Sequence, residues 1–157
     1  MKSLLPHNVL QIAFVVDDVE KYLAIYAQLF GIETPGTNET GSHAETQSLY
    51  RGEPTDGRAR VGYIPLNNIL LEFIEPIEGP SIWRDHLEQN GNGIHHLAFI
   101  VNGVKQVIDD LEAFGLPLLQ HGTFPAAANA PSGKYAYLQG FDKLGFDVEL
   151  LDFDADL

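Results

Sequence analysis

With six histidines, 22 acidic residues and no cysteine, this 157-residue chain has only oxygen and nitrogen donors for polar chemistry. Disulfides, thiolate metal sites and a cysteine nucleophile are excluded, and the redox compartment is left open. Four donors, Gln11, Glu72, His96 and Glu149, occupy matched positions in two similar stretches. An amide oxygen, an imidazole nitrogen and two carboxylates suit one divalent ion, Zn²⁺, Mn²⁺, Co²⁺, Ni²⁺ or Fe²⁺, with open positions for water or substrate.

The elements that must position these residues show as an internal repeat. VLQIAFVVDDVEKYLAIYAQLFGI at 9–32 aligns with IHHLAFIVNGVKQVIDDLEAFGL at 94–116, without a gap through the first strand, so Gln11 stands opposite His96. Each begins with a run rich in Val, Ile and Phe, continues at helical spacing and stops at Phe-Gly, which predicts a strand followed by a helix. ILLEFIE at 69–75 matches FDVELLD at 146–152, Glu72 opposite Glu149, with an acidic residue closing each. Further strands are expected near 43–51 and 58–66, and near 117–121 and 134–140, giving two tandem βαβββ modules of the α+β class. Residues 1–157 then form a single domain, with one module at about 8–78, a connector at 79–93 and a second module at about 94–153. Ser81 and Gly91 bracket a short helix in the connector. The small-residue, Pro- and Gly-rich segment 121–133 reads as a surface loop or a lid.

Alternation along a strand separates the neighbours of these residues into two faces. Leu10, Ile12, Phe14 and Val16, with His95, Leu97, Phe99 and Val101, form a bulky row expected under the helices. Gln11, Ala13 and Val15, with His96, Ala98 and Ile100, form a smaller row facing a concavity, and His95 is read as structural. A strand histidine is ordinarily a hydrogen-bonded core or surface residue, and a mid-strand glutamate is ordinarily solvated. What favours a metal centre is that four such residues share matched repeat positions, where an unpaired buried carboxylate would be costly.

A formal charge of -13 sets a field that repels phosphate backbones and anionic headgroups, so nucleic acid and membrane are not expected partners. Arg51, Arg58 and Arg60 are the only bunched cations, a weak anion signal. The N-terminal apolar run is broken by Pro6, His7 and Gln11 and is too short for a spanning helix, which makes a cytoplasmic location the default expectation. Exposed sheet edges suggest a homodimer.

GNGIHHLAFIV at 91–101, LLEFIEP at 70–76 and FDVELLD at 146–152 together resemble the vicinal oxygen chelate superfamily, over nearly the whole chain. The resemblance implies curved sheets forming a half-barrel cleft, with metal ligands at Gln11, Glu72, His96 and Glu149. The Gln/Glu/His/Glu set is similar to that of some glyoxalase I enzymes, whereas GIHHLAF is closer to methylmalonyl-CoA epimerase and its relatives. The glutathione-binding pattern of glyoxalase I is not seen, and Gln11 stands where extradiol dioxygenases have a histidine.

The chemistry expected is proton transfer beside a carbonyl of a small-molecule substrate, with the ion stabilising an enolate and Glu149 acting as base as well as ligand. His121 and Tyr137 are further catalytic candidates, and Glu45 and Glu53 weaker ones. Three functions stay distinct: a metal-dependent isomerase or epimerase, a glyoxalase-type lyase or thiol transferase, and a metal-free drug-binding protein of the bleomycin-resistance type.

Overall fold

The computed structural model describes residues 3–127 and 130–154. The first half runs β1 (Gln11–Val15), α1 (Val19–Phe30), β2 (Asn38–Glu39), α2 (His43–Thr46), β3 (Leu49–Tyr50), β4 (Glu53–Pro54), β5 (Arg58–Pro65) and β6 (Leu70–Glu78). Helix α3 (Ile82–Asn90) follows. The second half runs β7 (Gly93–Ile100), α4 (Val104–Phe114), β8 (Leu118–Phe124), β9 (Gly133–Leu138), α5 (Phe141–Leu144) and β10 (Asp147–Phe153).

All strands join one curled half-barrel sheet in the order β2-β5-β6-β1-β7-β10-β9-β8-β3-β4. Read outward from the antiparallel seam between β1 and β7, the order β1-β6-β5-β2 is repeated as β7-β10-β9-β8. The tandem βαβββ arrangement predicted from the repeat is therefore present, in a mixed α+β fold.

The repeat extends to how each helix starts and stops. Gly31 and Gly115 adopt left-handed backbone, φ 65° and 99°, and turn their N–H groups back onto the last helical carbonyls. The acid closing each inner strand reaches the start of the helix of its own half: Val19 N donates to Glu75 Oε2 at 3.0 Å and Val104 N to Asp152 Oδ2 at 2.9 Å. An anion there satisfies a free N–H and opposes the positive helix end.

The outer face of the sheet carries the two helix-covered cores. Val19, Leu23 and Ala27 of α1 pack on Ile64, Leu71 and Phe73. Leu111 of α4 packs with Phe99, Ala136, Leu138, Val148 and Leu150. The inner face is not an empty cleft: α3 lies against it, and Ile82 and Trp83 join Ala13, Val15, Val61, Ile74 and Tyr137. Ser81 caps α3 by accepting from Arg84 N, and Gly91 ends it.

Two local expectations are corrected. Residues 43–46 are a helical turn rather than strand, because Ser42 and Glu45 form a reciprocal capping box, and only Leu49–Tyr50 of that stretch is extended. That short strand does not pair within its own half; it adds to β8 of the other half, Leu49 opposite His121 and Tyr50 opposite Gln120. In the segment read as loop or lid, 121–124 belong to β8, while 128 and 129 lie outside the described residues.

Candidate metal centre

The face parity read from the sequence puts Gln11 and His96 on the inner side of the sheet, and the structure brings them together there with Glu72 and Glu149. All four are nearly inaccessible: His96 is 0% exposed, Glu149 4%, and Glu72 and Gln11 6% each. Glu72, His96 and Glu149 each offer a ligand atom, and these atoms lie within 4.8 Å of one another.

His96 Nε2 lies 3.1 Å from Glu149 Oε2 and 3.4 Å from Glu72 Oε2, yet no acceptor is aligned to take a hydrogen bond from it. A buried nitrogen left this way between two carboxylates is the arrangement a divalent cation would complete. The donor set fits the ion on this observation.

Gln11 reaches the same centre but presents its amide nitrogen, which donates to Glu72 Oε2 at 2.7 Å and contacts Glu149 Oε2 at 3.4 Å. Turning the amide about its last torsion presents Oε1 instead, as an ion would require.

Electrostatics describe the centre without the ion. Burial alone would depress the His96 pKa, but the adjoining Glu149 and Glu72 carboxylates overcome this and hold it up at about 9. Burial raises Glu72, assisted by the charge of Glu149 and opposed by His96. Buried His95 is pushed down to about 4. In metal-free protein near neutral pH, a His96 imidazolium thus balances the carboxylates, and a cation would take its place.

Each carboxylate has a tyrosine across the neighbouring strand pair. Tyr63 pairs with Glu72 between β5 and β6, and Tyr137 with Glu149 between β10 and β9. Each tyrosine pKa is raised well above 10: chiefly by Glu72's charge for Tyr63, and by burial and then Glu149's charge for Tyr137. Both therefore stay protonated donors. Tyr137 was among the sequence candidates; Tyr63 was not, although GYIPL at 62–66 and AYLQG at 136–140 place a tyrosine at matching steps of the repeat.

The remaining candidates are not brought to this centre. His121 pairs with Ala136 while Gln120 pairs with inward-facing Tyr137, so His121 points to the opposite face of the sheet from Glu149. Glu45 is held by the backbone and hydroxyl of Ser42, and Glu53 is exposed on β4. The bunched arginines engage acids: Arg58 with Glu39 and Glu78, Arg60 with Glu39, and Arg51 with Asp85.

His95 departs from its predicted place under the helices. A bulge in β7 sets Ala13 opposite His96 and Phe14 opposite Ile94, leaving His95 as the extra residue. The kink turns it inward, where its Nδ1 meets His96 Nδ1 at 2.8 Å.

A repeated βαβββ sheet with an acid- and imidazole-lined centre between its halves defines a class of two-module, half-barrel proteins. Residues 10–137 match the family model of the glyoxalase/bleomycin resistance protein/dioxygenase superfamily, and the chain belongs to that superfamily. A relative at sequence level is the uncharacterized protein YqjC of Bacillus subtilis (strain 168), 27% identical over 108 residues that cover 69% of this chain and 75% of the relative. Among solved structures, methylmalonyl-CoA epimerase from Mycobacterium tuberculosis has a TM-score of 0.63 at 18% identity, covering 99% of this chain and 93% of its own. A methylmalonyl-CoA epimerase in complex with methylmalonyl-CoA and NH4+ has a TM-score of 0.60 at 20% identity, covering 94% and 95%. At these identities the structural likeness carries the fold. No helix among the described residues is long and apolar enough to cross a membrane.

Proposed function

We propose that this protein is a divalent-metal-dependent isomerase or epimerase that moves a proton on a carbon beside a carbonyl group of a small molecule. The observation that carries this reading is the buried His96 Nε2, unpartnered between the carboxylates of Glu72 and Glu149. Gln11, Glu72, His96 and Glu149 would hold the ion. When bound, the ion supplies Lewis acidity to the substrate carbonyl and so lowers the pKa of the adjacent C–H.

The protein's own groups divide the remaining work. Glu149 takes and returns the proton, with protonated Tyr137 opposite it on the neighbouring strand. Tyr63 stands opposite Glu72 in the same way. Trp83 and Ile82 of α3 exclude water from one end of the concavity and limit the space beside the centre. The superfamily match and the epimerase-like fold support this reaction class. Because the bunched arginines are engaged by acids, a compact keto acid or other phosphate-free carbonyl compound fits better than a CoA ester.

The test is exchange of substrate α-protons with solvent in D₂O, using protein reconstituted with Mn²⁺ or Co²⁺. Deuterium incorporation that needs the ion and disappears in Glu149→Gln is the expected result. An absence of exchange across a panel of keto acids and thioesters would count against it. Ligand binding retained without any ion, and in both Glu72→Ala and Glu149→Ala, would mark a metal-free binding protein instead.

A further inference from the structure

We propose that the last turn of α3, His86–Asn90, is a local cover whose opening admits a divalent cation to His96 through the acid-lined cavity beside it. That the centre takes an ion rests on the function proposed above; the opening of the cover does not.

The centre is closed to solvent, with His96 0% exposed and the other three donors 6% or less, so an ion arriving from outside needs a way in. Among the described residues, the buried side-chain nitrogens and oxygens without a hydrogen-bond partner are Trp83 Nε1, Gln120 Nε2, His95 Nε2 and His96 Nε2. All four stand on α3 or on the inner-face strands beneath it: Trp83 is edge-on to Tyr137, Gln120 Oε1 accepts from Ile82 N at 3.1 Å, and His95, beside His96, is edge-on to His86. Unpaired polar groups weaken the packing where they are buried, and here they gather at one contact.

That contact is held unevenly along the helix. The first turn of α3 is pinned: Ile82 N is bound to Gln120, Asp85 accepts from the Tyr50 hydroxyl and from Arg51 Nη2 at 3.3 Å, and the Pro80 carbonyl just before accepts from the Thr55 hydroxyl at 2.7 Å. In the last turn Glu88, Gln89 and Asn90 are exposed, and the side-chain hydrogen bond there stays inside the helix, Asn90 Nδ2 donating to His86 Nδ1 at 3.4 Å. The chain then leaves through Gly91, at φ 72° and with open space around it, before Asn92 Oδ1 accepts from Asp17 N at 2.8 Å. A helix end with so few outside bonds is the part that opens at least cost.

A polar cavity of about 180 Å³ runs along this turn, with Asp85, His86, Gln89, Asp142 and Asp147 in its wall. Arg51 also lines it but is already paired with Asp85, so Asp142 and Asp147 give the cavity a field that draws cations. One ring separates the cavity from the centre. His95 stands 4.9 Å from His86 and 5.1 Å from His96 between centroids, and its Nε2 lies 3.3 Å from Asp147 Oδ2. His86 is thus the part of the cover that shuts the cavity off from His95; with the last turn lifted, the cavity reaches the His95 ring and, past it, His96.

The test is to lock the cover. The chain has no cysteine, so Gln89→Cys with Asp142→Cys places its only two thiols at exposed positions on α3 and α5 across the cavity, where a short bifunctional methanethiosulfonate bridges them. The control is the same variant with each thiol capped separately. Bridging is expected to slow Zn²⁺ uptake and chelator-driven Zn²⁺ loss together, by about tenfold, with Kd unchanged. Equal rates in bridged and capped protein would overturn the proposal. A second readout needs no metal: in metal-free protein, labelling of the His95 imidazole by diethyl pyrocarbonate, located by peptide mass spectrometry, is expected in the capped form and lost in the bridged one. Equal labelling of the two forms, at any level, would overturn it as well. If the capped protein takes up no divalent ion, the metal reading alone fails, and the labelling still decides whether the cover opens.

Discussion

The two halves of the sheet are close copies in backbone and in helix anchoring, but they differ in what stands around the matched donor. In the first half Gln11 sits on a regular strand with Leu10 and Leu70 at the flanking positions; in the second, His96 follows a bulge, with His95 and Asp147 in those places. Both halves contribute one glutamate and one tyrosine. The difference teaches that a repeated scaffold needs repetition only where it folds: the acids that anchor α1 and α4 recur as Glu75 and Asp152, whereas the centre is assembled from unlike parts.

The most severe way to break this comparison is to remove the unlike donors in turn. His96→Ala is expected to lower Zn²⁺ or Mn²⁺ affinity on the order of a thousandfold, and Gln11→Ala by only about tenfold, as measured by chelator competition. Equal losses would mean that the halves contribute alike.

The pH dependence of metal-free protein sharpens the same contrast, because Gln11 does not titrate and His96 does. The folded-state pKa of His96, about 9, lies above its unfolded value of 6.5. Its stabilising contribution is therefore complete below pH 6.5 and lost as pH rises through about 9. Melting of chelator-treated protein is expected to fall by several degrees across that window, and His96→Gln to flatten the profile. Saturating Zn²⁺ should also flatten it, since the ion takes the place of the proton.

The smallest effects concern the anchoring acids. Helix α1 has a second cap, because Asp18 accepts from Lys21 N, whereas α4 begins at Gly103, which has no side chain. Asp152→Ala should thus cost about 1 kcal/mol and Glu75→Ala about half of that, by urea denaturation. The reverse order would show that Asp18 does not back up the Glu75 anchor.

Much of this centre was legible before the coordinates, because strand alternation is a rule of parity and a gapless repeat carries that parity across the chain. Gln11 and His96 kept the face assigned to them, and Phe30-Gly31 and Phe114-Gly115 ended their helices. What escaped was every place where parity is interrupted. The β7 bulge moved His95 inward, and nothing in GIHHLAF distinguishes two adjacent histidines on opposite faces from two sharing one. In β8, an irregularity between Leu118 and Gln120 accompanies the placing of Gln120, rather than His121, beside Tyr137. Tyr63 was missed because the spacing from tyrosine to glutamate differs between the halves, which hides the match in an alignment but not in a sheet. The docking of α3 on the inner face was not legible either, since amphipathic spacing names an apolar side without naming what it meets.

The short hairpin at 49–54 belongs to the first half by sequence and to the second by hydrogen bonding, with Tyr50 and Arg51 tied to β8 and to Asp85 of α3. It works as a clasp. A chain severed in the turn before Ser81 would yield two pieces, one carrying a strand that completes its neighbour and the other an edge lacking its cover. Separating them requires peeling apart the far rim as well as the seam, so the molecule should melt in one step, and the separate pieces should find each other again when mixed.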